Sequence, residues 1–141
     1  MSLILPDINF LIALIWPNHI FHEAARQRME SHRGKWATCA LTELGFIRVS
    51  SVPAVLQLAV SPRQAAQFLT VTKSDRQHIY LDGGPSPAQY SWDLAQGHKQ
   101  VTDAWLIGFA HHHQARLVTF DVKLRALSSD EEDIEVLRAE A

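Results

Sequence analysis

The sequence predicts an α/β fold, a parallel sheet of five short strands covered by helices on both faces. Three observations predict it. Short apolar runs alternate with helical stretches along the whole chain. Those runs show no period-two alternation, as expected of strands buried on both faces. And acids recur just beyond the runs, at the edge where open α/β sheets bind their ligands.

The elements follow in order. "LILP" (3–6) is an apolar strand ended by proline. Asp7 N-caps a helix through "INFLIALIW" (8–16), which Pro17 and Asn18 break. This N-terminal stretch has no basic leader region, and Pro6 and Asp7 interrupt it, so it reads as strand and helix rather than as a signal peptide. It is also shorter than the ~20 apolar residues a bilayer requires. "HIFHEAARQRMESH" (19–32) has helical periodicity through Ile20, Ala24, Ala25 and Met29, and Gly34 stops it. "KWATCA" (35–40) is the second strand, and "LTELGFIRVSS" (41–51) is a helix with Glu43 in its first turn. Pro53 starts a short segment, "AVLQLA" (54–59). Ser61 and Pro62 open the helix "RQAAQFLTVTK" (63–73) as N-cap and N1. "HIYL" (78–81) is the third strand, Gly83 to Pro87 form a loop, and "AQYSWDLAQ" (88–96) is expected to be a helix. "VTDAWLIGFAHHHQ" (101–114) is a strongly apolar helix, and "RLVTF" (116–120) is the fourth strand. "KLRAL" (123–127) makes one helical turn, "SSDEED" (128–133) a solvated acidic loop, and "IEVL" (134–137) the fifth strand. No repeat or long linker interrupts the series, so residues 1–141 are expected to form a single domain.

Composition excludes some function classes. With 20% charged and 47% hydrophobic residues the chain is an ordinary globular one. A net charge of -2 gives no bulk attraction for nucleic acid, so any such binding must use a local patch. Cys39 is the sole cysteine, which rules out an internal disulfide; its apolar flanks read as a buried, inert thiol. A reducing, cytoplasmic setting follows as the expectation.

Four acids fall at corresponding places. Asp7 and Asp121 directly follow strands one and four, Glu43 follows strand two, and Asp103 opens the apolar helix. Singly, each aspartate reads as a helix cap. As a set they read as a site. Four gathered carboxylates repel one another and lose hydration, at a cost of several kcal/mol per ion. No lysine or arginine adjoins them in sequence, so a divalent cation is the simplest counter-charge. An all-oxygen donor set suits Mg²⁺ or Mn²⁺, and such a site can activate water and brace an attacked phosphodiester.

The same residues resemble a known family. "LPDINFLIAL" looks like the first motif of PIN-domain proteins, "LTELGFIRV" like the second, "VTDAWLIGFA" like the third, and "LVTFDVKL" like the fourth. The resemblance spans essentially the whole chain, and at this length it is to the VapC-type toxins of toxin–antitoxin pairs. It implies a three-layer sandwich and a metal-dependent endoribonuclease that hydrolyses RNA with a metal-activated water. By motif position, Asp7, Glu43, Asp103 and Asp121 would be the catalytic, metal-binding acids, with Asn9 and Thr119 as supporting polar groups. It further implies Mg²⁺ (or Mn²⁺) as cofactor, a homodimer, and a cognate antitoxin docked over the acids. Many members carry a basic residue after the fourth aspartate; here Val122 separates Asp121 from Lys123.

Other features have plainer readings. His111, His112 and His113 are consecutive, so they point about 100° apart and cannot share one ion; they read as a solvated helix end. His19 and His22 could share a face but lack a third ligand. Asp82 reads as a turn residue and Asp93 as a solvent-facing helix position. Arg26, Arg28, Arg33, Lys35 and Arg48 could hold RNA phosphates or merely coat helices, and the four tryptophans read mostly as core or interface. Two other acidic α/β classes fit less well. A dehalogenase-like phosphatase wants a second acid where Asn9 stands, a receiver domain wants a lysine after strand five, and both leave Glu43 unused. A PIN-like scaffold acting only through protein partners would fit a chain lacking a motif acid, and none is missing.

Overall fold

The computed structural model describes residues 3–56 and 60–138. Five strands, β1 (Ile4–Pro6), β2 (Trp36–Thr38), β3 (His78–Tyr80), β4 (Arg116–Thr119) and β5 (Ile134–Val136), form one sheet in the order β3-β2-β1-β4-β5. Every pairing is parallel. All strand C-termini therefore lie along one edge, and the chain order reverses about β1, between β2 and β4. That reversal opens the crevice in which such sheets bind ligands.

Among the described residues six α-helices cover the sheet: α1 (Ile8–Ile15), α2 (His22–Ser31), α3 (Ala40–Ser50), α4 (Pro53–Leu56), α5 (Pro62–Thr72) and α6 (Val101–His112). The strand side chains divide by parity. Ile4, Trp36 and Val118 pack with Phe10, Leu11, Phe46 and Leu69 of α1, α3 and α5, and with Trp16, which caps the end of α1. Leu5, Ala37 and Leu117 pack with Leu106, Ile107 and Ala110 of α6 on the opposite face. Two cores flanking one sheet make the three-layer sandwich that the sequence implies.

Local chemistry sets the helix starts. Asp7 caps α1 by accepting the Ile8 amide at 2.8 Å. Ser61 and Gln64 form a reciprocal capping box on α5, with Pro62 at its first position. Gly45 lets α3 lie close on α1: a Cβ there would come within 2.2 Å of Ile8 Cδ1. This approach brings the first turn of α3, with Glu43, alongside the start of α1, which follows Asp7.

The structure corrects two expectations. Residues 88–96 form no α-helix, only a 3₁₀ turn at Pro87–Gln89 followed by turns. Tyr90 instead lays its ring where a Cβ of Gly108 on α6 would sit, 2.1 Å from Tyr90 Cε1, and packs edge-on against Trp92 at 4.7 Å. Seating those two rings on α6 outweighs the weak helix preference of a stretch holding Ser91, Asp93 and nearby Gly97. Asp93 is accordingly an exposed turn residue. The helix expected from residue 19 starts at His22, and Ile20 is 85% exposed in the turn before it. The histidine run is the solvated helix end expected of it, with His111 and His112 exposed; from there His111 pairs with Asp133 at 2.9 Å, and His113 Nε2 lies 3.2 Å from the Gly83 carbonyl. Residues 57–59 of the segment expected at 54–59 lie outside the described residues, where Pro53–Leu56 is helical. Cys39 is buried as expected. No helix among the described residues is long and apolar enough to cross a membrane.

Candidate functional site

The centre of the site is a hydroxyl. Thr119 ends β4, fully buried. A threonine hydroxyl has one proton to give and two lone pairs to receive. Thr119 donates to Asp7 Oδ2 at 2.7 Å, and accepts from Asn9 Nδ2 at 3.2 Å and from the Asp121 amide at 3.1 Å. Its capacity is filled. Asn9 accepts the Phe120 amide at 3.2 Å through Oδ1, which fixes which end of its amide faces Thr119. The Phe120 ring stacks on Phe10 at 5.6 Å, tying the end of β4 to α1. Asp7, Asn9, Thr119 and Asp121 are thus one hydrogen-bonded unit spanning the ends of β1 and β4.

Asp7 is 5% exposed and accepts the Ile8 amide as well as the Thr119 hydroxyl. Burial still raises its pKa above the ordinary carboxylate value; the two hydrogen bonds oppose that rise, and the charge of Asp121 adds to it. Asp121 caps the 3₁₀ turn at Val122–Leu127 by accepting the Lys123 amide at 2.9 Å. Asp103 comes from the first turn of α6. Its carboxyl is pushed up to about 6, first by burial and then by the charges of Asp7 and Asp121. The three carboxylates therefore act on one another electrostatically.

They also share a cavity of about 350 Å³, lined by Asp7, Asn9, Asp103 and Asp121 with Ile8, Ile12, His19, Val49 and Val55. A larger cleft of about 730 Å³ lies on the outer side of α6, between Tyr90 and Leu127, and holds none of the motif acids. Among the described residues no lysine or arginine pairs with Asp7, Asp103 or Asp121. Apart from the His19 imidazole, the polar lining is the three carboxylates and the Asn9 amide, and carboxylates without a lysine or arginine partner among the described residues fit a hard divalent cation. As they stand, no three His, Cys, Asp or Glu side chains among the described residues converge to hold an ion.

Glu43 does not line that cavity. It lies one strand over, in the first turn of α3. Ile4 stands opposite Trp36, so Thr38 ends β2 level with Pro6, one residue before Asp7. Glu43 Oε2 accepts the Thr38 hydroxyl at 2.6 Å and the Lys73 ammonium at 2.7 Å. Lys73 is the group sequence reasoning missed. It sits thirty places from Glu43 and reaches it because α5 packs on α3. Neither His19 nor His22 is arranged as a metal pair: His19 Nδ1 accepts the Phe21 amide at 3.0 Å, and His22 Nδ1 lies 2.8 Å from the Ala13 carbonyl. Two of the suggested phosphate-binding arginines are spent elsewhere. Arg26 pairs with Glu23 and Glu30, and Arg28 is bidentate to Glu135 of β5 at 2.7 and 2.9 Å.

Comparison with known proteins places the fold in a family. The PIN domain profile matches residues 4–129. This chain belongs to the PIN-domain family. Among curated proteins it is similar to Ribonuclease VapC38 of Mycobacterium tuberculosis, 38% identical over 123 residues, covering 86% of this chain and 87% of that protein. It is similar to Ribonuclease VapC39 of the same species, 38% identical over 122 residues, covering 84% of this chain and 88% of that protein. Ribonuclease VapC29 is 29% identical over 127 residues, covering 90% of this chain and 92% of its own.

Proposed function

We propose that this PIN-domain chain is a metal-dependent endoribonuclease, the toxin of a toxin–antitoxin pair, which hydrolyses RNA phosphodiester bonds. One observation carries the reading: Asp7, Asp103 and Asp121 line one cavity and have no lysine or arginine partner among the described residues, and burial with the neighbouring carboxylates raises the proton affinity of Asp7 and Asp103. The relatives named as ribonucleases support the choice of RNA as substrate.

Mg²⁺ or Mn²⁺ would be held by Asp7, Asp103 and Asp121, with Glu43 belonging to the same catalytic edge by motif position. A bound divalent ion would supply Lewis acidity toward the phosphodiester and toward its attacking water. The chain supplies placement. Thr119 and the Ile8 amide fix both oxygens of Asp7. Asn9 locks Thr119 and the Phe120 amide, so the ends of β1 and β4 keep their spacing. Ile8, Ile12, Val49 and Val55 set an apolar wall beside the acids. The phosphatase alternative gains nothing, because the Asn9 amide is committed to Thr119 and Phe120 and leaves no second acid there. A single domain over 1–141, a cytoplasmic location, a homodimer and a cognate antitoxin that covers the acids complete the proposal.

The test is cleavage of structured RNA by purified protein with Mn²⁺. Wild type should cut and Asp103→Asn should not. Equal cutting by both removes Asp103 from the mechanism. No cutting across a broad RNA panel moves the chain to a scaffold role.

A further inference from the structure

We propose that the Lys73 ammonium is the resident second cation of this site, filling at Glu43 the place a second divalent ion would take. The inference rests on the reading that the three aspartates hold one divalent ion. It starts from a contrast: those aspartates lack a cationic partner among the described residues, whereas Glu43 has one at 2.7 Å.

The pair is built in rather than incidental. Both side chains are mostly buried, Lys73 27% and Glu43 20% exposed. Thr38 is fully buried, and its single proton goes to Glu43 Oε2. The Thr38 oxygen must then accept, and it does so from His78 Nε2 at 2.8 Å. His78 is suited to that neutral donor role, since burial and then the Lys73 charge lower its pKa. Lys73 also stands 5.3 Å from the centre of the Tyr80 ring, whose face favours a cation. Two strand ends, β2 and β3, and the end of α5 thus cooperate to place one positive charge on one carboxylate.

A second divalent ion at Glu43 would have to expel an ammonium from a partly buried carboxylate, or sit beside it against like-charge repulsion. With Lys73 in place neither is favourable, so the site takes one divalent ion per chain. The ammonium spends one of its three donors on Glu43. The others have no hydrogen-bond acceptor among the described residues and can serve a phosphate oxygen, the ligand class a lysine point charge serves. Lys73 and the ion at the aspartates would then flank the scissile phosphate from neighbouring strand ends.

The test is calorimetric titration of the metal-free protein with Mn²⁺ at neutral pH, which reads stoichiometry without RNA cleavage. Wild type should take one ion per chain. Lys73→Met should take two, and the second should vanish in the Lys73→Met, Glu43→Gln double variant. Lys73→Arg, which keeps the charge, should stay at one. Glu43→Gln alone keeps the acceptor for Thr38 and should leave the ion's affinity essentially unchanged, while Asp103→Asn should weaken it about tenfold or more. Two ions in wild type, one ion in Lys73→Met, or a loss in Glu43→Gln equal to that in Asp103→Asn would each overturn the inference. All three leave the acidic site itself standing. Wild type that takes no ion would instead overturn the reading on which the inference rests.

Discussion

Asp103→Asn in a chelating, metal-free buffer should make the protein more stable, and the gain should depend on pH. The Asp103 carboxyl forms no hydrogen bond among the described residues, so an isosteric amide loses no partner. Its carboxyl is held at about 6 instead of 3.8. The folded state therefore binds that proton more tightly than the unfolded chain does. Stability from this group is full below the unfolded value and is lost as pH rises through the folded one. At 1.36 kcal/mol per pH unit the gap corresponds to about 3 kcal/mol. Asp103 is only half-buried, so solvent screening reduces this to about 1–2 kcal/mol. The Asn variant escapes that loss. Thermal melts should show a difference near zero at about pH 4 that grows to about 3–8 °C above pH 7. Adding Mn²⁺ should reverse the order, since an ion that binds only the folded state stabilises wild type more. A variant less stable at every pH, or a difference that ignores pH, would refute the claim that Asp7 and Asp121 act on Asp103.

Three further outcomes follow from the packing. Thr119→Val leaves Asp7, Asn9 and the Asp121 amide each short of a partner; denaturant unfolding should show a loss of about 2–3 kcal/mol. Gly45→Ala drives a Cβ into Ile8 Cδ1 and Cγ1; it should cost about 1–3 kcal/mol and weaken RNA cleavage, because α3 and Glu43 must shift from α1. Glu135 is held below the usual carboxylate range by Arg28, so the stability this pair gives is present above the ordinary glutamate value and lost as pH falls through the lowered one. Glu135→Gln should cost about 1–2 kcal/mol near neutrality and nothing in strong acid, as read by urea melts across that range.

Much of the sheet was legible because its strands are buried on both faces and so read as bare apolar runs between helical stretches. Asp7 and Asp121 were legible for a related reason: each is the first polar group after such a run, and a cap and a site acid occupy the same place. Their convergence with Asp103 follows from parallel pairing, which puts all strand ends on one edge. What escaped depends on contacts between segments far apart in sequence. Lys73 reaches Glu43 only because α5 packs on α3, and no local pattern encodes that. Tyr90 leaves its expected helix for a seat on Gly108, a position whose small size matters only once the two segments meet. Ile20 shows the converse error: an apolar residue in helical register lies in a turn and faces solvent.

The proposed activity depends most on the three aspartates holding a divalent ion. Crystals grown with Mn²⁺ and measured at the manganese absorption edge address that directly. The expected anomalous peak lies among the Asp7, Asp103 and Asp121 carboxylates, with Lys73 still on Glu43. A peak elsewhere on the chain, or none at saturating Mn²⁺, would contradict it.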